Sequence, residues 1–276
     1  MISFEQMTNT PMLLYGCAAL SGITGMLLRS GALKKTACGL AVTGFLAQTL
    51  FMLMGGHAAL PGGLSWGAYL QLLAWFLIIC GIGGWWKLRL DAPLLFAAPP
   101  ALILFLMSHR YLNMQVRLPE NLSTPFYALH IGVLFLSLGL MALAFGAGVL
   151  FLYLERKIKA KTPLSGFRKD FPALTILDRI NAATTVAGFP LYTAGMVAGL
   201  VWAGSAWGAT VTGDPKEIVS LAIWALYALL FHMRLAQGRR GRKPALLAIL
   251  LFALCAFSFL VVNSYMDTHH SFIKRQ

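Results

Sequence analysis

Residues 201–217, VWAGSAWGATVTGDPKE, separate two strongly apolar runs at 182–203 and 218–236. About 20 consecutive apolar residues are enough for one helix to cross a bilayer. The stretch itself is rich in tryptophan and glycine, and it ends in a charged cluster of Asp214, Lys216 and Glu217. We therefore expect it to be a loop between two membrane spans and the working face of the protein.

The composition extends this prediction to the whole chain. Of the 276 residues, 58% are hydrophobic and only 11% are charged, which excludes an ordinary soluble domain. Apolar runs of spanning length lie at about 11–28, 37–55, 66–86, 92–108, 126–154, 182–203, 218–236 and 244–265. The sequence predicts an all-α, polytopic integral membrane protein of about eight transmembrane helices, forming a single membrane domain over 1–276.

The net charge of +13 needs no nucleic-acid partner. If the N-terminus is outside, most of the 22 Lys and Arg residues fall in inner loops, as the positive-inside rule requires. This arrangement predicts both termini outside, the stretch 201–217 on the outer face, and no nucleic-acid binding. The inner loop at 155–181 is basic, and helical spacing of its apolar residues predicts an interfacial helix leading into the next span.

Histidines and tryptophans on the predicted outer side indicate a haem site. The residues concerned are His57, His130, His269, His270, Trp202 and Trp207. Two neutral imidazoles can fill both axial positions of a haem iron, while aromatic side chains cover the porphyrin. The alternative is that each histidine separately makes a hydrogen bond at the membrane interface.

The charged cluster at the end of the stretch has two alternatives of its own. Asp214, Lys216 and Glu217 either bind the haem propionates or cap the start of the next span, where acidic groups are favourable. Capping is favoured for Glu217.

Polar and helix-distorting residues inside the spans carry further expectations. Gln48 is expected to make an interhelical hydrogen bond, which is favoured over a ligand contact. Pro190 is expected to kink its span, and Gly195 and Gly199, four residues apart, are expected to allow a close helix contact.

An ordered set of short motifs runs from residue 171 to residue 272. They are Leu177 with Asp178, GFP at 188–190, VWA at 201–203, AWG at 206–208, DPKE at 214–217, Trp224 with Tyr227, FHMRL at 231–235 and HSF at 270–272. In order and spacing they resemble the CcsA/ResC/HemX family of cytochrome c assembly proteins, which handle haem in the membrane.

The resemblance implies a site, a cofactor and partners. It implies b-type, non-covalent haem with His130 and His270 as the two axial ligands of its iron, and His232 as a membrane-embedded histidine associated with haem entry. The haem-binding stretch would include Trp202, Trp207, Gly208, Asp214 and Pro215. The implied partners are apocytochrome c and a membrane protein of the CcsB type, and the implied location is the bacterial inner membrane, with the site on the periplasmic side.

Three functions remain open from the sequence. The first is haem presentation during c-type cytochrome biogenesis, as a component of a haem lyase or synthase; no protein nucleophile is evident. Residues 211–213 are VTG where the family signature has further tryptophans, which supports a HemX-like regulator or assembly accessory as the second. The third is a small-molecule transporter with a pocket lined by Gln48, His232 and the Pro190 kink.

Overall fold

The structure, a computed structural model, describes residues 4–54, 65–111, 125–161 and 172–259. Its regular elements are eight helices: α1 Phe4–Leu27, α2 Gly31–Leu53, α3 Trp66–Leu88, α4 Ala92–Arg110, α5 Pro125–Lys159, α6 Leu174–Trp207, α7 Pro215–Leu235 and α8 Arg242–Phe257. The prediction of an all-α architecture is confirmed.

Seven of these helices, α1 to α7, are long and apolar enough to cross a membrane, counted over the described residues. Helix α8 has 16 residues there, and the remainder of the predicted span at 244–265 lies outside the described part of the chain. Leu46 and Leu50 of α2 are exposed whereas Gln48 between them is fully buried. Apolar residues outside and polar residues inside are expected of a helix surrounded by hydrocarbon.

The internal contacts of the chain divide it into two compact units; the single membrane domain over 1–276 stays a prediction. The first contains residues 1–116 and 154–173, and the second contains residues 117–153 and 174–276. Helices α1 to α4 therefore belong to the first unit, and α6 to α8 with most of α5 belong to the second. Hydropathy alone does not reveal such a division, because every span looks alike until its packing partners are known.

A buried polar network joins the four helices of the first unit. Tyr15 Oη donates to Gln48 Oε1 at 2.8 Å, and Gln48 Nε2 donates to the carbonyl of Gln71 at 2.7 Å. Gln71 Nε2 in turn donates to Ser108 Oγ at 3.1 Å. The interhelical hydrogen bond expected of Gln48 is confirmed, and both the oxygen and the nitrogen of its amide are used.

Helix α6 is longer at both ends than the predicted span. Its first turns, from Leu174, take up the end of the predicted loop at 155–181, and α5 extends into the beginning of that loop as far as Lys159. No proline or glycine lies between Leu174 and Gly188 to separate an interfacial helix from the span. At the other end α6 continues to Trp207, so residues 201–207 of the predicted outer loop are helical.

The second unit has its own apolar core, formed by α5, α6, α7 and α8. Its buried members are Met141, Ala144, Tyr192, Ile223, Tyr227, Leu230, Ala248, Leu251 and Cys255. Phe189, beside Pro190, contacts Trp224, Tyr227 and Phe231 of α7 through its ring. These aromatic contacts pack α6 against α7 within the second unit.

Candidate functional site

His130 lies in the second turn of α5 and is half-buried against α6. Its Nδ1 is 2.7 Å from the carbonyl oxygen of Gly195. The ring also lies over Gly199, where an added Cβ would be 2.5 Å from both Cε1 and Nδ1. The close helix contact expected of these glycines is therefore made, and it is made around the predicted haem ligand.

Trp202 lies one turn before the end of α6, and only 2% of it is exposed. Its ring packs against Tyr127 of α5, with the two ring centroids 5.1 Å apart. Tyr127 lies one turn of α5 before His130. The rings of Tyr127 and Trp202 therefore pack at the same end of the second unit as His130. Trp202 is therefore buried in the packing of this end, and its part in haem binding stays a prediction from the resemblance.

The loop that follows α6 is short and contains residues 208–214. Gly208, with φ of +72°, ends the helix in the left-handed conformation that glycine adopts without strain. Asp214 then caps α7 by accepting a hydrogen bond from the Lys216 backbone at 2.7 Å, and Pro215 occupies the first helical position, where its missing N–H costs nothing.

Glu217 holds the loop to the beginning of α7. Its carboxylate accepts hydrogen bonds from the backbone N–H groups of Thr212 and Gly213 at 2.9 and 3.0 Å, and from the Thr212 hydroxyl at 2.9 Å. Gly213 supplies the left-handed φ of +78° that this turn needs. Both acidic groups of the cluster thus bond to backbone groups of the loop and the first turn of α7.

His232 lies at the far end of α7 from these residues. It is 17 residues after Pro215, or about 25 Å at 1.5 Å per residue. Its side chain is exposed on the surface of the unit. The structure therefore does not bring His232 together with His130, and a role in haem entry stays a prediction from the resemblance.

A buried ionic network at the His232 end was not predicted. Arg234 donates to Asp178 Oδ1 at 2.8 Å, to Asn181 Oδ1, and to the carbonyl of Arg239 at 3.1 Å. Asn181 Nδ2 donates to the Ala144 carbonyl of α5, and the backbone of Gly241 donates to Asp178. The signal was present in the sequence, because Asp178 and Arg234 are opposite charges at the ends of consecutive spans.

Other predicted site residues lie beyond what the structure describes. His270, His57 and His269 are outside the described residues, and of Trp207 only the backbone, the last residue of α6, is described. Among the described residues, no group of three or more His, Cys, Asp or Glu side chains is arranged to hold a metal ion. A pair of axial histidines would not form such a group, so His130 and His270 stay a prediction.

The sequence of the chain is similar to that of known proteins. A family model described as "Cytochrome C assembly protein" matches residues 12–270, which is most of the chain. The chain belongs to this family. The match begins within α1 and includes α2 to α8, so it extends over both compact units.

Individual relatives agree with the family. The "Cytochrome c biogenesis protein CcsA" of Guillardia theta is 29% identical over 223 residues, which are 74% of this chain and 73% of the relative. The CcsA proteins of Trichodesmium erythraeum and Chlamydomonas reinhardtii are 43% and 34% identical over 97 and 144 residues. These matches cover 28% and 39% of those two relatives. The chain is a CcsA homologue and a multi-pass membrane protein of cytochrome c assembly.

Proposed function

We propose that this chain binds haem at the end of the second unit that carries His130 and presents it during c-type cytochrome assembly. One observation carries the proposal most strongly. The imidazole of His130 is held by a hydrogen bond through Nδ1 to the Gly195 carbonyl, and no described residue bonds to its Nε2. Family membership explains why such a group would meet haem rather than another ligand.

The chemistry of His130 fits haem iron. Iron is bound by the unprotonated nitrogen of a neutral imidazole. Histidines that bind metals commonly donate their second ring N–H to a backbone carbonyl or a carboxylate, which fixes the ring and raises the basicity of the ligand nitrogen. His130 makes this kind of bond to Gly195.

The surrounding residues supply a rigid frame for this ligand. Trp202 and Tyr127 fill the space between α5 and α6, and Asp214 and Glu217 fix the loop and the first turn of α7. No side chain described at this end is placed as a nucleophile. The contribution of the chain is therefore to hold haem in position, while the cysteine thiols of apocytochrome c add to the haem vinyl groups.

The remaining assignments follow the family. His270 is the second axial ligand, Trp207, Gly208 and Pro215 belong to the presenting loop, and His232 acts in haem entry from the other end. The partners are apocytochrome c and a membrane protein of the CcsB type. The chain works in the bacterial inner membrane, with the His130 end on the periplasmic side.

An absorption spectrum of the purified full-length protein tests this proposal. With haem added under reductant, the wild type should show a low-spin spectrum, and His130→Ala and His270→Ala should each lose it. His109→Ala is the matched control, because His109 belongs to the first unit and bonds to Asn9 and its own helix. Unchanged spectra in both ligand variants would refute the assignment, and a wild type without a Soret band would refute haem binding.

A second function, a haem-linked regulator or assembly accessory, is favoured by the composition of the loop. Its residues 211–213 are Val, Thr and Gly, and Val211 is exposed where an aromatic surface would be expected. Maturation of a reporter cytochrome c separates the two functions. Haem binding with maturation supports presentation, whereas haem binding without maturation supports the accessory role.

The transporter alternative is weakened by the contacts of its proposed lining. Both polar atoms of the Gln48 amide are bonded to Tyr15 and to the Gln71 backbone within the first unit. The Gln48 amide is thus occupied by the protein's own groups.

A further inference from the structure

The hydrogen bond of His130 defines which ring nitrogen carries the proton. A backbone carbonyl oxygen can only accept, so Nδ1 must donate the 2.7 Å bond to Gly195. In the neutral ring the lone pair then lies on Nε2. The bond to Gly195 therefore determines the tautomer as well as the orientation of the ring.

Gly199 provides the space in which the ring makes this bond. A Cβ at this position would lie 2.5 Å from Cε1 and from Nδ1 of His130. Carbon atoms in contact are ordinarily about 3.5–4.0 Å apart. The ring would have to move by about 1 Å to accept a methyl group at residue 199, and that movement would lengthen the bond to Gly195 beyond hydrogen-bonding distance.

Gly195 keeps the two helices close enough for the same bond. A Cβ there would lie 2.7 Å from the side chain of Leu134 and 3.0 Å from Val133, both on α5. Leu134 is one turn after His130, so a side chain at residue 195 would push α5 and α6 apart next to the ring. The two glycines thus act together. Gly195 accepts the hydrogen bond and lets the helices approach, and Gly199 leaves space for the ring.

We propose that Gly195 and Gly199 are positioning residues that hold His130 in the tautomer whose Nε2 binds haem iron. This inference rests on the proposed haem function and names the residues that orient its ligand. Loss of a hydrogen-bonding partner behind a metal-bound histidine typically lowers metal affinity 10–100-fold. Gly199 is the better position to test, because its contact is with the ring itself.

The test compares Gly199→Ala with Gly146→Ala in the full-length protein titrated with haem. Gly146 is also a helical glycine of the second unit, but nothing lies within 4 Å of a Cβ added there. Gly199→Ala should lose the low-spin spectrum and bind haem about tenfold more weakly, and added imidazole should restore the spectrum by replacing the displaced ring. Gly146→Ala should match the wild type.

A second pair of variants covers the case in which Gly199→Ala does not fold. His130→Gly removes the ring and leaves space for free imidazole. In His130→Gly/Gly199→Ala the methyl group at residue 199 has no ring to collide with, but it fills part of the space for imidazole. The double variant should need about tenfold more imidazole than His130→Gly to restore the low-spin spectrum. Equal requirements in the two variants would overturn the inference.

The outcomes distinguish the two proposals. If His130→Ala loses the low-spin spectrum but Gly199→Ala keeps it at wild-type affinity, the positioning role is wrong and the haem function stands. If Gly199→Ala loses the spectrum and imidazole does not restore it, the second pair of variants decides, and equal imidazole requirements in that pair show that the positioning role is wrong. If the wild type shows no haem spectrum, both proposals fail.

Discussion

The two ends of the second unit differ in how completely their buried polar groups are hydrogen-bonded. At one end Arg234, whose side chain is 2% exposed, bonds to Asp178, Asn181 and the carbonyl of Arg239. At the other end, among the described residues, His130 makes one hydrogen bond, through Nδ1, to Gly195. A buried charge requires a complete set of partners, whereas a neutral imidazole needs only one to be held in place.

This difference indicates which polar residues are structural and which belong to a site. The Arg234 network connects α5, α6, α7 and the turn before α8, and it uses all three guanidinium nitrogens of Arg234 and both polar atoms of the Asn181 amide. His130 is equally well positioned but keeps a nitrogen that no described residue uses. Substitutions at the Arg234 end should therefore lower stability more than haem binding. Substitutions at the His130 end should lower haem binding more than stability.

The largest effect on stability is expected from Arg234→Ala. Removing the guanidinium leaves the Asp178 carboxylate half-buried without its cation, and such a loss costs about 3–5 kcal/mol of unfolding free energy. Unfolding in mixed detergent micelles measures it. Arg240→Ala, at an exposed basic position nearby, is the control and should change stability by less than about 0.5 kcal/mol. A loss below about 1 kcal/mol in Arg234→Ala would contradict a structural role for the network.

A smaller effect is expected from Gln48→Leu in the first unit. The substitution leaves the buried hydroxyl of Tyr15 without its acceptor, at a cost of about 1–3 kcal/mol. The haem spectrum should not change, because the described hydrogen bonds of the Gln48 amide are to groups of its own unit. Thr43→Ala is the control, since Thr43 is exposed on the same helix and bonds only to it. A stable Gln48→Leu variant with an altered spectrum would show that Gln48 contacts the ligand.

The smallest effect is expected from Glu217→Gln. The amide oxygen of glutamine can still accept from the Thr212 and Gly213 backbones, but these hydrogen bonds lose the charge of the carboxylate, at a cost of about 1 kcal/mol. The thermal transition in detergent should fall slightly, and protease should cut the 208–214 loop faster. The control is Glu155→Gln, which breaks an exposed ion pair with Lys159. Its thermal transition and its rate of protease cleavage should not change measurably. Equal protease rates for Glu217→Gln and wild type would be evidence against the loop role of Glu217.

The positions of the helices were largely predictable from the sequence. An apolar run of spanning length has few alternatives to a helix in hydrocarbon, since its backbone groups must bond to one another. Helix ends were less predictable: Gly208 and Pro215 mark the true loop, but the apolar stretch at 174–180 continues directly into α6 instead of forming a separate helix. A helix can continue until a helix-breaking residue ends it, and a hydropathy profile does not show where that happens.

By itself the sequence determined the helical membrane fold, the family and the identity of the residues worth testing, because span length, hydropathy and ordered motifs are properties of the chain alone. Only the tertiary structure decided which partner each polar residue has. Gln48 bonds to Tyr15 33 residues away, Arg234 to Asp178 56 residues away, and His130 to Gly195 65 residues away. These pairings depend on how each helix is rotated and which helices it meets, and a difference of one residue in rotation turns a side chain by about 100° around its helix.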